Sequence, residues 1–442
     1  MDSNRKEVLK LFEENKRYIK EKSDEGIKQS RIGKCKITVV DSNGASLKNV
    51  LLRIKQKNHE FKYGANIFML DEFENNEKNL IYRNKFKEIC NMATLPFYWN
   101  DLEPVEGKPR FAENSAPVYR RPPIDLCIKY CEENNIEPKE HCLFYEPYTP
   151  DWVNTADIDD MKRKYEKRIR TLAERYRDKI RLWEVTNETL YFFKNASVMY
   201  TSPDLIEWCF NCAANYFPDN ELMINDAHCN IWNVFNENRS QYYMQIERAL
   251  SKRARIDSIG MQFHMFYNRE NEKKETELFY DPLHLYRVLD RYSDFEKPMH
   301  LTEITIPAYS TSEEDEYIQA EIIRNLYTVW FGYPAIESIM YWNLVDGYAA
   351  FAPQGDMTAG ENYYHGGLLR FDMTPKPSYY IIRDLFMNEW HTDIEVCTNE
   401  NGIAEFSGFY GDYDITVIGG NSQTTKTVKL KKHAENELIL QV

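Results

Sequence analysis

The sequence predicts an α/β fold, a (β/α)8 TIM barrel with a small β-sandwich built from strands at the two ends of the chain. Three observations carry this. From about residue 60, short apolar runs alternate with amphipathic helical stretches, as a barrel of eight strand–helix units requires. Each apolar run ends in a polar residue, and in a barrel those ends surround one mouth. Outside that region, residues 31–59 and 391–442 read as strand and turn. A chain of 442 residues has room for one large barrel and one small appendage.

In chain order, residues 1–30 form a charged amphipathic helix. Residues 31–59 hold two strands, K-C-K-I-T-V-V from Lys34 and V-L-L-R-I-K-Q from Val50, joined by the turn D-S-N-G from Asp41. Residues 60–390 are the barrel. Its candidate strands begin at Phe61, Thr94, His141, Ile180, Leu222, Ile259, Met299 and Ser338. Several are apolar throughout, as expected of strands buried on both faces. Their polar ends are Asn66, Trp99-Asn100, Glu146, Glu188, His228, His264, Glu303 and Asn343. Helical stretches such as MKRKYEKRIRTLAERYRDK from Met161 and EDEYIQAEIIRNLYTVW from Glu314 separate them. Residues 391–442 are again strand and turn, too few to bury a core alone. They are expected to pair with the two N-terminal strands, so that the barrel is an insertion in the sandwich. The order strand, D-x-x-G turn, strand, N-G, strand, Y-G-D-Y, strand resembles that of transthyretin-like accessory domains.

Composition excludes several classes of partner. The net charge is −14 with basic and acidic residues interleaved, which argues against nucleic acid and anionic membranes. No apolar run approaches the roughly 20 residues needed to span a bilayer. The first residues lack the apolar core of a signal peptide, and nine scattered cysteines, an odd number, fit a reducing compartment. A cytoplasmic protein is expected, or a secreted one if a leader has been trimmed. Cys209 and Cys212 form a C-x-x-C with no second pair at zinc-ribbon spacing, so they are read as buried helix cysteines, and no metal or other cofactor is expected. Tyr is abundant, which supplies a core and leaves rings for stacking on sugars.

The stretch W-E-V-T-N-E-T-L, Trp183 to Leu190, starts as a buried strand and delivers an amide and a carboxylate at its tip. Glycosidic bond cleavage with retention needs two carboxyl groups about 5–5.5 Å apart, one protonated and one ionised. Glu188 is one candidate, and Glu303 in H-L-T-E-I-T is a partner from another strand end. Asn187 stands beside the first and can hydrogen-bond a sugar 2-hydroxyl. Gln262 and His264 alternate on one strand, so they point to the same side, and His264 is placed to hold Glu303 ionised. The plainer alternative makes both Glu residues helix caps or rim salt bridges.

These residues resemble glycoside hydrolase family 10, the retaining β-1,4-xylanases. That family ends its fourth strand with W-D-V-V-N-E, against W-E-V-T-N-E here; Ile224-Asn225-Asp226-Ala227-His228 matches its fifth strand in part. Ser258-Ile259-Gly260-Met261-Gln262-Phe263-His264 matches its G-I-G-x-Q-x-H, and Leu301-Thr302-Glu303-Ile304 its nucleophile strand. The third strand starts with His141, T-P-D-W follows from Thr149, and L-L-R-F-D-M-T-P-K-P-S-Y from Leu368 matches the closing motif. The resemblance spans roughly residues 60–388. It implies Glu188 as acid/base and Glu303 as nucleophile, with Asn187, His141, Gln262 and His264 lining the cleavage site and Trp342 as apolar floor. The implied substrate is xylan or its oligosaccharides.

The departures concern the substrate. Where the family has E-N-x-x-K-W, this chain has T-L-P-F-Y-W, so Trp99 remains and Tyr98 takes the Lys place. The family's W-H is Tyr145-Glu146. Glu146 is either a third carboxylate near the pair or a partner for Arg120 or Arg121. Y-R-R-P-P from Tyr119 is expected to form a different loop over the groove. Losing polar grips changes selectivity because substrate groups go unpaired. A retaining β-glycosidase for another glycan or aglycone, and a carbohydrate-binding barrel without turnover, are the alternatives.

Overall fold

Apolar strands with no wet face must close on themselves or be covered, and here they do both. The computed structural model describes residues 5–233, 237–419 and 422–442, so the first four residues of the expected N-terminal helix lie outside the described part. Two strands come first, β1 (Ile32–Val40) and β2 (Leu51–His59). Eight follow: β3 (Lys62–Asn66), β4 (Met92–Pro96), β5 (Glu137–His141), β6 (Leu182–Asn187), β7 (Glu221–Asp226), β8 (Ser258–His264), β9 (Met299–Thr305) and β10 (Ile336–Tyr341). They form a closed, all-parallel barrel in sequence order, β10 returning to β3. Every residue of β6, β8 and β9 is buried, the polar ones included. Helices such as Ile158–Tyr176 and Glu313–Gly332 cover the outside.

Two strands, β4 and β5, lie furthest from their expected positions. β4 ends at Pro96, which lacks an N–H, and Tyr98 becomes the turn into a short helix, Trp99–Leu102. β5 is the charged stretch E-P-K-E-H, and the apolar run after His141 is the loop beyond its end. In β5, Lys139 and Glu140 are fully buried.

The last strands are β11 (Asp393–Cys397), β12 (Ile403–Phe409), β13 (Gly411–Gly419), β14 (Ser422–Leu430) and β15 (Glu437–Gln441). β1 lies between β12 and β15; β2 lies between β11 and β13, with β14 outside β13. Alternate residues Cys35, Ile37, Val39, Leu52, Ile54, Ile415 and Val417 meet between the two sheets in a core of their own. β2 runs almost directly into β3, which sets the sandwich at the strand N-termini, the end opposite the mouth. Arg31 fixes this junction by donating to the carbonyls of Phe331 and Tyr333 at 2.9 and 2.8 Å, with its guanidinium over the Phe61 ring.

The expected N-terminal helix is broken. A turn at Arg5–Leu9 and a helix at Lys10–Glu14 precede the main helix, Lys16–Ser30. The main helix approaches Glu313–Gly332 so closely that a Cβ at Gly26 would lie 1.8 Å from the Gly332 carbonyl oxygen. Buried Arg5 meets Glu272 and Asp315 at 2.7 and 3.0 Å. Cys209 and Cys212 are free and buried in the helix Leu205–Tyr216. Among the described residues no helix is long and apolar enough to cross a membrane.

Candidate active site

The strand C-termini open into a cavity of about 440 Å³, lined by Glu188, Glu303, Asn187, Gln262, His264 and Trp342 among others. Each side chain arrives by strand alternation adjusted by a bulge. The β8–β9 register shifts between Met261 and Gln262, and that of β6–β7 between Glu184 and Thr186. Glu188 directly follows β6 with φ of 51°, a left-handed conformation unfavourable for a residue with a side chain. The strained turn carries its carboxyl inward.

Gln262 joins the two carboxyl groups. Its Nε2 lies 3.0 Å from Glu188 Oε1 and 3.0 Å from Glu303 Oε1, so those oxygens are no further apart than twice that distance. Around Glu303, Asn225 Nδ2 donates to Oε1 at 3.1 Å and His264 Nε2 to Oε2 at 3.2 Å. Burial pushes His264 down to about 4, so it is neutral, with its one ring hydrogen on the carboxylate side and Nδ1 accepting from Thr305 Oγ1 at 2.9 Å. Glu188 Oε2 accepts from the Tyr145 hydroxyl at 2.6 Å.

Burial, and for Glu188 the nearby Glu303 charge, pushes both carboxyl groups up to about 7. Two carboxyls this close resist double ionisation, so the pair holds one proton near neutral pH. Glu303 takes the charge first, because it receives more donors and lies 4.0 Å from His141 Nδ1.

A further carboxyl lies one layer deeper. Glu184 contacts the Lys139 ammonium and accepts from His141 Nδ1 at 2.9 Å and from Asn225 Nδ2 at 3.0 Å. Burial alone would raise it, but His141 and Lys139 outweigh burial and hold it at about 2. His141 Nε2 and the Tyr98 hydroxyl form a hydrogen bond at 3.0 Å. Asn187 Oδ1 accepts from Asn225 and Gln262 at 3.0 and 3.1 Å; its NH2 has no partner among the described residues and is free for a ligand. Trp342 stands edge-on to Phe68, His141 and His264, with ring centroids 5.3–5.8 Å apart.

The sequence pattern of glycosyl hydrolase family 10 matches residues 57–385, most of the chain. The chain belongs to glycosyl hydrolase family 10. Among its relatives, the anti-sigma-I factor RsgI6 of Acetivibrio thermocellus is 24% identical over 93% of this chain and 48% of its own length. Endo-1,4-beta-xylanase 1 of Arabidopsis thaliana is 23% identical over 91% of this chain and 38% of its own. This chain therefore spans less than half the length of either. Xylanase 10B of Thermotoga petrophila RKU-1, solved in complex with xylobiose, shares the fold with a TM-score of 0.58 at 20% identity, covering 75% of this chain and 95% of that one.

Within this family 10 barrel, three expected contacts do not line the cavity: His141 is fully buried one layer below it, occupied by Glu184 and Tyr98, and two others lie elsewhere. Trp99 points into the barrel wall, edge-on to Trp152 at 5.4 Å and with its Nε1 donating to Glu103, because the chain has already turned into a helix at that point. It lines a separate cavity. Glu146 neither joins the pair nor meets Arg120 or Arg121. Its two oxygens accept from the Ser197 N–H at 2.6 Å and the Ser197 hydroxyl at 2.9 Å, pinning the loop after β6. Arg121 pairs instead with Asp101 at 2.7 Å, and Arg120 donates to Asn343 Oδ1 at 2.9 Å. Both arginines, from the Y-R-R-P-P loop, line the cavity beside Tyr98 and Tyr145.

Sequence reading missed Glu184 and Lys139 as parts of the site. The available signal was charge inside a strand: Glu184 stands within β6, and Lys139 stands two residues before His141 in β5. A charge within an otherwise buried strand calls for a partner on the next one.

Proposed function

We propose that this chain is a retaining endo-acting glycoside hydrolase that cleaves β-1,4-xylosidic bonds in xylan or xylo-oligosaccharides by double displacement. The observation that carries this reading is the single Gln262 amide bridging Glu188 and Glu303, a spacing that suits retention rather than inversion. Ionised Glu303 attacks the anomeric carbon while Glu188 gives its proton to the departing glycosidic oxygen, forming a glycosyl ester on Glu303 and a free alcohol. Glu188, now a carboxylate, takes a proton from water as that water attacks the same carbon. Glu303 leaves ionised and Glu188 is protonated again.

The surroundings support these roles. His264 and Asn225 hold Glu303 ionised. The unpartnered Asn187 amide is available to the 2-hydroxyl, and Trp342 gives the sugar an apolar floor. Xylan as the substrate class is supported by family membership and by relatives named as endo-1,4-beta-xylanases. A binding barrel without turnover gains nothing from a buried pair sharing one proton.

The test is product analysis on β-linked polysaccharides and on aryl xylobioside against aryl cellobioside, with Glu303→Ala as control. Xylo-oligosaccharides released first as the β-anomer are expected. An α-anomer as first product, or turnover undiminished in the control, overturns the reading.

A further inference from the structure

Tyr145 lies in the loop that follows β5, and its hydroxyl donates to Glu188 Oε2 at 2.6 Å. That hydroxyl has no other hydrogen-bond acceptor among the described residues. The ring packs beside Tyr148 and Tyr98, with centroids 5.3 and 6.2 Å away. On the other Glu188 oxygen, Gln262 Nε2 has two hydrogens for three acceptors: Glu188 Oε1, Glu303 Oε1 and Asn187 Oδ1. Asn225 Nδ2 also reaches Asn187 Oδ1 and Glu303 Oε1, which leaves a Gln262 hydrogen for Glu188 Oε1, whereas Oε2 depends on the phenol alone.

We propose that Tyr145 is a positioning residue that confines the catalytic proton to Glu188 Oε1 and then steadies the Glu188 carboxylate after that proton has left. This rests on the reading of Glu188 as acid/base. Were the proton on Oε2, it would face the phenol oxygen, and the phenol hydrogen would lose its acceptor inside a buried site. With the proton on Oε1, every hydrogen has a place, and the proton faces Glu303 across the gap where a glycosidic oxygen would sit. When Glu188 ionises, the phenol contact becomes charge-assisted and strengthens. Burial and the neighbouring Glu188 charge push the Tyr145 phenol far above its ordinary value, so it remains a donor throughout.

The experiment is Tyr145→Phe, which keeps the ring and removes the donor. The donor favours ionised Glu188, so its loss raises the affinity of Glu188 for its proton by about tenfold, or one pH unit. The alkaline limb of kcat/KM, which requires protonated Glu188, is expected to move up by that unit. At the optimum, kcat falls more for xylo-oligosaccharides, whose leaving alcohol needs the proton, than for an activated aryl xylobioside. A limb that stays in place or moves down, or an equal loss for both leaving groups, overturns the proposal. ¹³C NMR titration of the Glu188 carboxyl in the free wild-type and Tyr145→Phe proteins must show the same upward shift. That titration needs no turnover. If the wild type hydrolyses no xyloside, the proposed function fails, and the titration still decides whether the phenol controls the Glu188 proton.

Discussion

Two layers of the barrel bury carboxyl groups, and they neutralise them differently. In the deeper layer Glu184 meets the Lys139 ammonium and His141, and it is held at about 2. At the mouth, Glu188 and Glu303 receive amides, a phenol and a neutral imidazole, and burial pushes both up to about 7. A buried carboxylate with a cation beside it is fixed in charge and serves as an anchor. A buried carboxyl pair served by neutral donors keeps a proton that can be moved at neutral pH. Asn225 connects the layers, since its Nδ2 reaches both Glu184 and Glu303 at 3.0 and 3.1 Å.

The comparison breaks most sharply at Glu303. Glu303→Gln removes the proposed nucleophile and is expected to lower kcat/KM for xylo-oligosaccharides on the order of 10⁴-fold or more, with the melting temperature at neutral pH retained or raised. Steady-state kinetics beside thermal unfolding of the same sample reads both. A variant that loses activity only because it unfolds would place Glu303 with the anchors.

Glu184→Gln should do the reverse. It strands the Lys139 ammonium in a fully buried site, a loss of about 3–5 kcal/mol that unfolding measurements would register. The sign with pH follows from the depressed value. Glu184 contributes its stability above about 4.5 and loses it as pH falls toward about 2. The gap between wild type and Glu184→Gln should therefore narrow below pH 4.5. A gap independent of pH would mean that the lost contribution is packing rather than charge.

Glu188→Gln reverses the sign again, with a smaller effect. Glu188 holds its proton up to about 7 when folded and releases it earlier when unfolded, so its contribution fades as pH rises from about 4.5 through 7. Replacing it should stabilise the protein at pH 8 by roughly 1 kcal/mol, discounted because the carboxyl opens onto the cavity. At pH 4 the same substitution should change stability little. Melting curves at the two pH values check this.

Much of this contrast could be read from the chain. The eight-unit alternation, the polar strand ends, and the N-E and Q-x-H pairs located the mouth and its two carboxyl groups. The strands of the sandwich were legible because β1 and β2 alternate cleanly, as do β12 and β13. β5 was not legible, because E-P-K-E-H hides charges that Glu184 and other strands neutralise, and such partners are invisible to local patterning. The same oversight displaced the expected strand into the following loop and gave Glu146 an inward position. Trp99 was misplaced for a related reason. Motif spacing preserved its position in the chain, while the early end of β4 at Pro96 turned its ring away from the sugar side.

Glu146 supplies the smallest expected effect. It is a further buried carboxyl close to the mouth, raised above the ordinary range by burial, yet it belongs with neither layer. It has no cation partner among the described residues, and its two acceptor bonds go to the backbone and hydroxyl of Ser197. Glu146→Gln keeps one acceptor for the Ser197 N–H, so the loop after β6 should stay in place with a loss of about 1 kcal/mol. Turnover of xylo-oligosaccharides should remain within roughly threefold of wild type, and the alkaline limb of the pH profile should not move, since no proton of the Glu188–Glu303 pair passes through this group. A moved limb would instead join Glu146 electrically to the pair, and the separation of mouth from surroundings would have to be drawn one residue wider.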